Sequence, residues 1–395
     1  MLVAGIISEY NPFHSGHAAL LSRTRLHGAT HTVAVMSGNF VQRGEPAMLS
    51  KWVRTKQALL NGVDLVVELP LPWALSGAEK FAFGGVALLD AIGVDTLSFG
   101  SECGKVQELQ EAAQALTCPA LGEAIREELK SGCTFAQARQ AAVKNLFGEK
   151  ISLLLQQPNN ILGIEYLKAL NRLHATMELF TIQRIGAAHD SASVEGKIAS
   201  ASQIRRLISG NGDFTSLMPE TAAKAVSEEI ALGNTPALIT AAERAILAKL
   251  RTMTLMEFSA LPDISEGLEN RIYTSVRKAG SLEELYSMIK SKRYTHARIR
   301  RIVLSAFLGI DSAISEGVPP YVRVLGFNRR GTEILHRMKA TAALPILTKS
   351  SDIALLNHYG KEIMELERRS TDLYALFTPK IAPCGLDMTT GIISV

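Results

Sequence analysis

Two histidines, His14 and His17, lie on either side of Ser15 and Gly16 near the start of this 395-residue chain. A β-branched run and a Pro-containing turn precede them, and an apolar segment compatible with a helix follows. Gly16 has no Cβ, so the backbone can come close to a ligand there. A helix N-terminus offers free N–H groups to an anion. The spacing therefore predicts a phosphate-binding turn in which both imidazoles donate hydrogen bonds to phosphate oxygens.

A His-x-Gly-His pattern also arises by chance, but its place between a strand and a helix favours a nucleotide site. No cysteine lies near it, so the pattern does not predict a zinc site, and we predict no resident metal. In this context it resembles the first signature of the HIGH-type nucleotidyltransferase superfamily. The resemblance implies attack on the α-phosphate of ATP and release of pyrophosphate.

A second segment places the hydroxyls of Ser200 and Ser202 just before Arg205, at a predicted helix start. Backbone N–H groups, hydroxyls and a guanidinium can hold a polyphosphate together. The segment resembles the Ile-Ser-Ser-Thr-x-Ile-Arg element that closes nucleotidyltransferase sites, with Ala199 in place of the isoleucine and Ala201 in place of the second serine. A simple helix start is the alternative interpretation.

Three further loops could line the same site. Residues 37–44 combine two glycines with an arginine and suit a flexible anion-binding loop or an ordinary turn. Gly100 would let an adenine or ribose lie against the backbone, although a tight turn explains it equally well. Asn159 and Asn160 precede a helix, and Asn160 is also a good N-cap residue.

The elements that must position these residues alternate between strand and helix patterns. The predicted strands are 2–8, 31–36, 63–69, 96–99 and 177–185, and the predicted helices between them include 18–26, 50–61 and 78–92. This alternation predicts an α/β fold with a doubly wound parallel sheet, which is HUP/Rossmann-like. Ligands bind beyond the carboxyl ends of such strands. That rule predicts that five loops meet at one edge of the sheet, which we call the rim. They are loops 8–17, 37–44, 69–75, 100–102 and 184–190.

The pattern changes near residues 209–212, a run of turn-forming residues. We therefore predict a nucleotidyltransferase domain over 1–210, with a helical insertion at about 105–150. A mainly α-helical C-terminal domain would occupy 211–395.

Composition favours a cytoplasmic protein without a membrane span. Apolar residues make up 47% of the chain, and the net charge is only +4. The four cysteines have no Cys-x-x-Cys spacing, which is typical of reduced thiols. The N-terminus lacks a signal-peptide pattern, and no apolar run approaches the ~20 residues of a membrane helix. The oligomeric state is not predicted.

Several motifs occur together in one order along the chain, and they lie at 9–17, 36–47, 64–70, 99–102, 158–163 and 292–301. Together they are similar to the tRNA(Met) cytidine acetate ligase family over nearly the whole chain. The resemblance implies an enzyme that uses ATP and acetate, with Mg²⁺ expected alongside ATP. It would form acetyl-adenylate and then acetylate N4 of the wobble cytidine of elongator tRNA(Met), releasing AMP and pyrophosphate.

The resemblance also implies site residues. The catalytic group would comprise His14, His17 and Arg205. The ATP-contacting residues would be Ile7, Ser8, Glu9, Tyr10, Asn11, Pro12, Phe13, His14, Ser15, Gly16, His17, Ala18, Ala19, Leu20, Gly100, Asn159, Asn160 and Arg184, with Ser200 and Ser202 at the triphosphate.

A basic segment at 290–301 holds six lysines and arginines and no acid. Cationic side chains meet phosphates, and aromatic rings can stack on unpaired bases. The predicted RNA-binding residues are Lys292, Arg293, Tyr294, Arg298, Arg300 and Arg301, with Phe327 as a second stacking candidate. A solvated helix face is the alternative. Two other functions stay open, a small-molecule adenylyltransferase and a non-catalytic RNA-binding protein on a nucleotide-binding fold.

Overall fold

The computed structural model describes residues 1–184, 199–265 and 267–395. Its strands are β1 Val3–Ser8, β2 His31–Ser37, β3 Phe40–Val41, β4 Glu45–Pro46, β5 Leu65–Leu69, β6 Thr96–Ser101, β7 Glu178–Gln183, β8 Val322–Phe327, β9 Ile346–Leu347 and β10 Ile393–Ser394.

The first helices are α1 Ser15–Leu26, α2 Lys51–Leu60, α3 Leu71–Ala74, α4 Ala78–Ile92, α5 Val106–Thr117, α6 Pro119–Leu129, α7 Phe135–Phe147, α8 Glu149–Leu154, α9 Pro158–Leu173 and α10 Ala201–Ser209. The later helices are α11 Glu220–Ala231, α12 Glu243–Thr252, α13 Leu255–Ser259, α14 Leu268–Val276, α15 Leu282–Ile289, α16 His296–Leu308, α17 Arg329–Thr341, α18 His358–Tyr374 and α19 Leu386–Thr389.

The main sheet has the strand order β10-β8-β5-β2-β1-β6-β7, with β9 beside β8. Strand β1 pairs in parallel with β2 on one side and with β6 on the other. The chain therefore reverses its direction of strand addition at β1 and β6, which defines the crevice where ligands bind in such sheets. The predicted doubly wound α/β fold is confirmed.

One strand departs from the all-parallel prediction. Strand β8 runs antiparallel to β5, with Arg323 opposite Glu68 and Phe327 opposite Leu65. It enters the sheet after a long helical stretch, so no local βαβ pattern marks its direction. The division of the chain near residue 210 stays a prediction, and β8, β9 and β10, which follow it, join the same sheet as β1.

Apolar residues of β1 alternate between two buried clusters on opposite faces of the sheet. Ile7 packs with Trp73 and Leu97 on the face covered by α4 and α9. Ile6 packs with Phe13 and Ile204 on the face covered by α1, α2 and α10. This period-2 alternation is what a strand buried on both sides requires. A third apolar cluster holds the helices α12 to α16 together.

Most of the predicted elements lie where their patterns placed them. Helix α4 spans the predicted residues, and β7 falls within the predicted fifth strand, of which Ile185 lies outside the described residues. Helices α5 to α8 lie between β6 and α9, where the helical insertion is predicted. Among the described residues, no helix combines the length and the apolar character that crossing a bilayer requires.

Candidate nucleotide site

The two histidines form the first turn of α1 together. His14 is the N-cap residue, and its Nδ1 accepts a hydrogen bond from the Gly16 N–H at 3.0 Å. The His14 N–H in turn donates to His17 Nδ1 at 3.2 Å. The rings stack with centroids 3.9 Å apart. This reciprocal capping fixes both ring orientations at the carboxyl end of β1.

Burial keeps both imidazoles uncharged. It lowers the pKa of His14 to about 3, and the nearby Arg184 and Arg205 guanidiniums push in the same direction. Burial, His14 and Arg184 also lower the pKa of His17 well below its usual value. Because each Nδ1 accepts a backbone N–H, the single proton of each neutral ring lies on Nε2. The site therefore presents two neutral Nε2–H donors.

The sequence-distant Arg205 lies beside this turn. Its Nη1 donates to the Asn11 carbonyl at 2.8 Å, and its Nη2 donates to Ser202 Oγ at 3.3 Å. Ser200 is the N-cap of α10, and its Oγ accepts from the Gln203 N–H at 3.2 Å. Ser200 thus caps a helix, as the alternative interpretation of this segment predicts. A contact between Ser200 and a phosphate stays a prediction. The residues of this motif, from Ala199 to Arg205, all lie within the described part of the chain.

A reciprocal clip joins the end of β6 to the start of α9. The Glu102 carboxylate accepts from the backbone N–H groups of Asn159 at 3.1 Å and Asn160 at 2.7 Å. Asn160 Oδ1 accepts from the N–H groups of Glu102 at 3.0 Å and Cys103 at 3.1 Å. The N-cap interpretation of Asn160 is therefore wrong, because α9 begins at Pro158 with Gln157 as its cap. Asn160 instead ties two loops of the rim together.

Gly100 and Arg184 lie side by side at the ends of β6 and β7. A Cβ placed on Gly100 would lie 3.2 Å from Arg184 Cγ. The Arg184 N–H donates to the Ser101 carbonyl at 2.9 Å. The charge of Arg184 contributes to the lowered pKa of both His14 and His17, so its guanidinium faces the same site. The remainder of the predicted 184–190 loop lies outside the described residues.

Arg54, which the sequence analysis missed, organises the loops after β1 and β2. It is wholly buried, and its Nη1 donates to the carbonyls of Glu9 at 2.6 Å and Ser37 at 3.0 Å. Its Nη2 donates to the Gly38 carbonyl. Burial lowers its pKa to about 10. A single arginine in a helical pattern is typical of an exposed helix face. No feature of the sequence therefore distinguishes the buried Arg54 from an exposed arginine.

The loop after β2 forms the β3–β4 hairpin and joins the rim to the basic segment. The Gln42 N–H donates to Glu9 Oε1 at 2.9 Å, while the Gln42 carbonyl accepts from Arg301 Nη1 at 3.4 Å. Glu45 forms an ion pair with Arg300. Gly44 has φ +74°, and a Cβ there would lie 2.5 Å from the Arg301 nitrogen. The close approach brings α16 to the same edge of the sheet as the histidines.

The predicted RNA-binding residues divide into two groups. Lys292 and Arg293 are exposed before α16. By contrast, Arg298 donates to the Asp263 carbonyl, Arg301 forms an ion pair with Asp263 at 2.8 Å, and Arg300 engages Glu45 as above. These three arginines hold the protein's own elements together, which weakens their case as phosphate contacts.

The two stacking candidates do not fit the structure. Tyr294 is 8% exposed and packs in the helical core, with Arg298 over its ring. Phe327 ends β8 beside the start of β5 and packs against the sheet. That position is at the amino ends of the parallel strands, away from α16. Stacking on a base would require either ring to leave its packing.

Within the described residues, no group of three His, Cys, Asp or Glu side chains could hold a metal ion.

A doubly wound sheet whose switch point carries two neutral imidazoles and a facing arginine defines a nucleotidyl transferase of the HIGH class. The family model HIGH Nucleotidyl Transferase matches residues 1–386. A tRNA(Met) cytidine acetate ligase from Thermoanaerobacter sp. (strain X514) is 41% identical, and one from Acetivibrio thermocellus is 39% identical, each over 100% of both chains. The chain belongs to the tRNA(Met) cytidine acetate ligase family, which confirms the resemblance.

Solved structures agree with this assignment. Thermotoga maritima TmcAL bound with alpha-thio ATP is 34% identical and superposes with a TM-score of 0.93, covering 100% of both chains. The apo form of the same protein gives a TM-score of 0.95, also over 100% of both chains.

Proposed function

We propose that this protein acetylates N4 of the wobble cytidine of elongator tRNA(Met), using acetate and ATP through an acetyl-adenylate. The observation that carries the proposal is the pair of neutral imidazoles, His14 and His17, capping α1 at the switch point. Its support comes from full-length relatives named for this activity and a similar structure bound to an ATP analogue. Such a substrate would place the protein in the cytoplasm.

In the first step, an acetate oxygen attacks the α-phosphorus of ATP. A new P–O bond forms, the bond to the β-phosphate breaks, and acetyl-AMP and pyrophosphate result. The Nε2–H groups of His14 and His17 would donate to phosphate oxygens where negative charge develops, a form of stabilisation worth most in a site shielded from water. Arg205 and Arg184 would hold the triphosphate and then the leaving pyrophosphate.

The loops of the rim would hold the rest of ATP. Gly100 offers a close backbone approach for the adenine or ribose. The clip between Glu102 and Asn160 keeps the end of β6 and the start of α9 in a fixed relation, with Asn159 beside it. The remaining contacts would come from residues 7–20, with Ser200 and Ser202 at the triphosphate. Mg²⁺ would enter with the phosphates, since the described residues offer no cluster dedicated to it.

In the second step, the cytidine N4 amine attacks the acetyl carbonyl and AMP leaves. Water must be kept from the mixed anhydride, because hydrolysis would waste it. The exposed Lys292 and Arg293 lie just before α16, the helix that contacts the hairpin of the same rim. Cationic side chains there would bind tRNA phosphates and bring the anticodon toward the ATP site.

Measurement of pyrophosphate release with and without acetate and tRNA tests the proposal against both alternatives. We expect pyrophosphate release to require acetate. We expect it to continue through repeated turnovers only when tRNA is present to accept the acetyl group. A small-molecule adenylyltransferase would release pyrophosphate without acetate, and a non-catalytic RNA-binding protein would release none.

A further inference from the structure

Glu9 lies where the nucleotide site meets the basic helix. It directly follows β1, and its carbonyl accepts a hydrogen bond from the buried Arg54. Its side chain reaches the hairpin, where Oε1 accepts the Gln42 N–H at 2.9 Å. Gln42 is bonded through its carbonyl to Arg301 of α16. The carboxylate is thus held by the hairpin that also contacts the basic helix α16.

Other carboxylates of this rim already have partners. Both oxygens of Glu102 accept hydrogen bonds from the start of α9. Glu45 pairs with Arg300, and Glu68 pairs with Lys51 and Arg323 in a buried network. In the part of the chain that the structure describes, Glu9 Oε2 accepts no hydrogen bond, and the residue is only half-buried.

We propose that Glu9 accepts a hydrogen bond from the cytidine N4 amine and takes its proton in the transfer step. A carboxylate is the usual partner of the cytosine N4 amine in direct readout. The proposal rests on the proposed function, which supplies the amine. It identifies a catalytic residue for the second step. The two imidazoles are assigned to the first step and leave the proton of the N4 amine without an acceptor.

The N4 nitrogen forms a bond to the acetyl carbon, and the bond between that carbon and the AMP oxygen breaks. One N4 proton passes to Glu9 Oε2, and AMP leaves as an anion that needs no proton. Glu9 then releases its proton to solvent once the acetylated tRNA departs.

The surroundings of Glu9 suit a base. Loss of hydration raises the pKa of the Glu9 carboxyl. The hydrogen bond from the Gln42 N–H and the charges of three arginines lower this pKa, but by less. The groups that face it are Arg205 from α10, Arg43 from the hairpin, Arg54 from α2 and Tyr166 from α9. A raised pKa moves a carboxylate toward the range in which a general base is effective.

Single-turnover transfer from acetyl-adenylate to tRNA, compared with acetate-dependent exchange of pyrophosphate into ATP, tests the proposal in the full-length protein. In Glu9→Gln we expect transfer to fall by about 10²- to 10⁴-fold, the usual contribution of a general base. Glu9 lies in the predicted ATP-contacting stretch 7–20, so exchange should also fall, but by less than transfer, because Gln keeps the size of the side chain and an acceptor for the Gln42 N–H. Wild-type transfer should rise with pH through the Glu9 pKa, and this limb should be missing in the variant.

Glu9→Asp keeps a carboxylate, so it should transfer at an intermediate rate and retain the pH limb even if Glu9→Gln folds poorly. Glu333→Gln, an exposed carboxylate at the opposite edge of the sheet, is the matched control and should match wild type. Equal losses of exchange and transfer in both Glu9 variants, or unchanged transfer in Glu9→Gln, would overturn the proposal. Failure of the wild type to acetylate tRNA would instead reject the proposed function.

Discussion

At the scale of single residues, each histidine of α1 combines a structural and a chemical role on different ring atoms. Nδ1 of each ring accepts a backbone N–H and caps the helix, and Nε2 is left to donate to a ligand. A substitution that preserves the capping acceptor and removes the Nε2–H donor separates these roles.

His14→Asn and His17→Gln should keep the first turn of α1, because Asn is a preferred N-cap and Gln is a preferred residue three positions later. Both variants should lower acetyl-adenylate formation by about 10²- to 10³-fold, the scale of losing one transition-state donor. The measurement is acetate-dependent pyrophosphate exchange, with circular dichroism and thermal unfolding as the control for folding. Near-normal exchange would show that the imidazoles serve only the helix.

The lowered pKa of His14 also predicts how stability depends on pH. Between about pH 6.5 and 3 the unfolded chain binds a proton that the folded protein excludes, so this residue destabilises the fold as pH falls through that range. The thermal midpoint of wild type should therefore drop more between pH 7 and pH 5 than that of His14→Asn. Parallel drops in the two proteins would mean that His14 is not held neutral.

The sequence predicted the histidine pair and Arg205, because their motifs are local in the chain. It could not predict that Asn160 bonds the N–H groups of Glu102 and Cys103, since those partners are more than fifty positions away. The buried Arg54 was missed for the same reason, because its acceptors come from separate loops.

At the scale of elements, the β3–β4 hairpin fixes the position of the basic helix α16. Gly44, with φ +74°, allows the hairpin to approach the backbone of Arg301. Strands and helices of the first half were predictable from their apolar patterns, whereas a hairpin of two-residue strands is too short to show a period. The antiparallel direction of β8 could not be predicted either, because its partner β5 is paired with it from far earlier in the chain, with Leu65 opposite Phe327.

The exposed Lys292 and Arg293 before α16 are predicted to contribute to tRNA binding, whereas an exposed arginine pair elsewhere is not. Lys292→Ala with Arg293→Ala should weaken tRNA binding and lower its salt slope by about two, because each lost phosphate contact removes roughly one unit. ATP affinity should stay close to that of wild type. Binding measured at several salt concentrations is the test.

The matched control is Arg329→Ala with Arg330→Ala. Both arginines are exposed at the start of α17, whose cap residue Asn328 bonds Val63 and Asp64 at the amino end of β5. That pair should leave the salt slope unchanged. The opposite result, with the control pair losing affinity and the first pair unaffected, would move the RNA surface to the other edge of the sheet.

At the scale of the whole molecule, the carboxyl ends of the parallel strands form one rim that carries the imidazoles, Arg205 and the hairpin. Residues from both predicted domains contact this rim, since Arg300 and Arg301 reach Glu45 and Gln42. The predicted ATP-contacting residues, however, all lie before residue 210, and two of them, Gly100 and Arg184, lie at the ends of β6 and β7.

This arrangement predicts that adenylate formation needs ATP and acetate but not tRNA. Acetate-dependent exchange of labelled pyrophosphate into ATP should occur with the protein alone, because backbone groups of the protein itself hold His14, His17 and Arg205 in place. Omission of acetate is the control. Exchange that appears only when tRNA is added would mean that RNA completes the site.

The most direct test of the proposed reaction is incubation of the protein with ATP, labelled acetate and bulk tRNA, followed by nucleoside analysis of the RNA. We predict that the label appears as N4-acetylcytidine, that it maps to the wobble position of elongator tRNA(Met), and that AMP and pyrophosphate form in equal amounts. If no label enters the tRNA, or if pyrophosphate forms without any acetylated nucleoside, the result would contradict the proposed reaction.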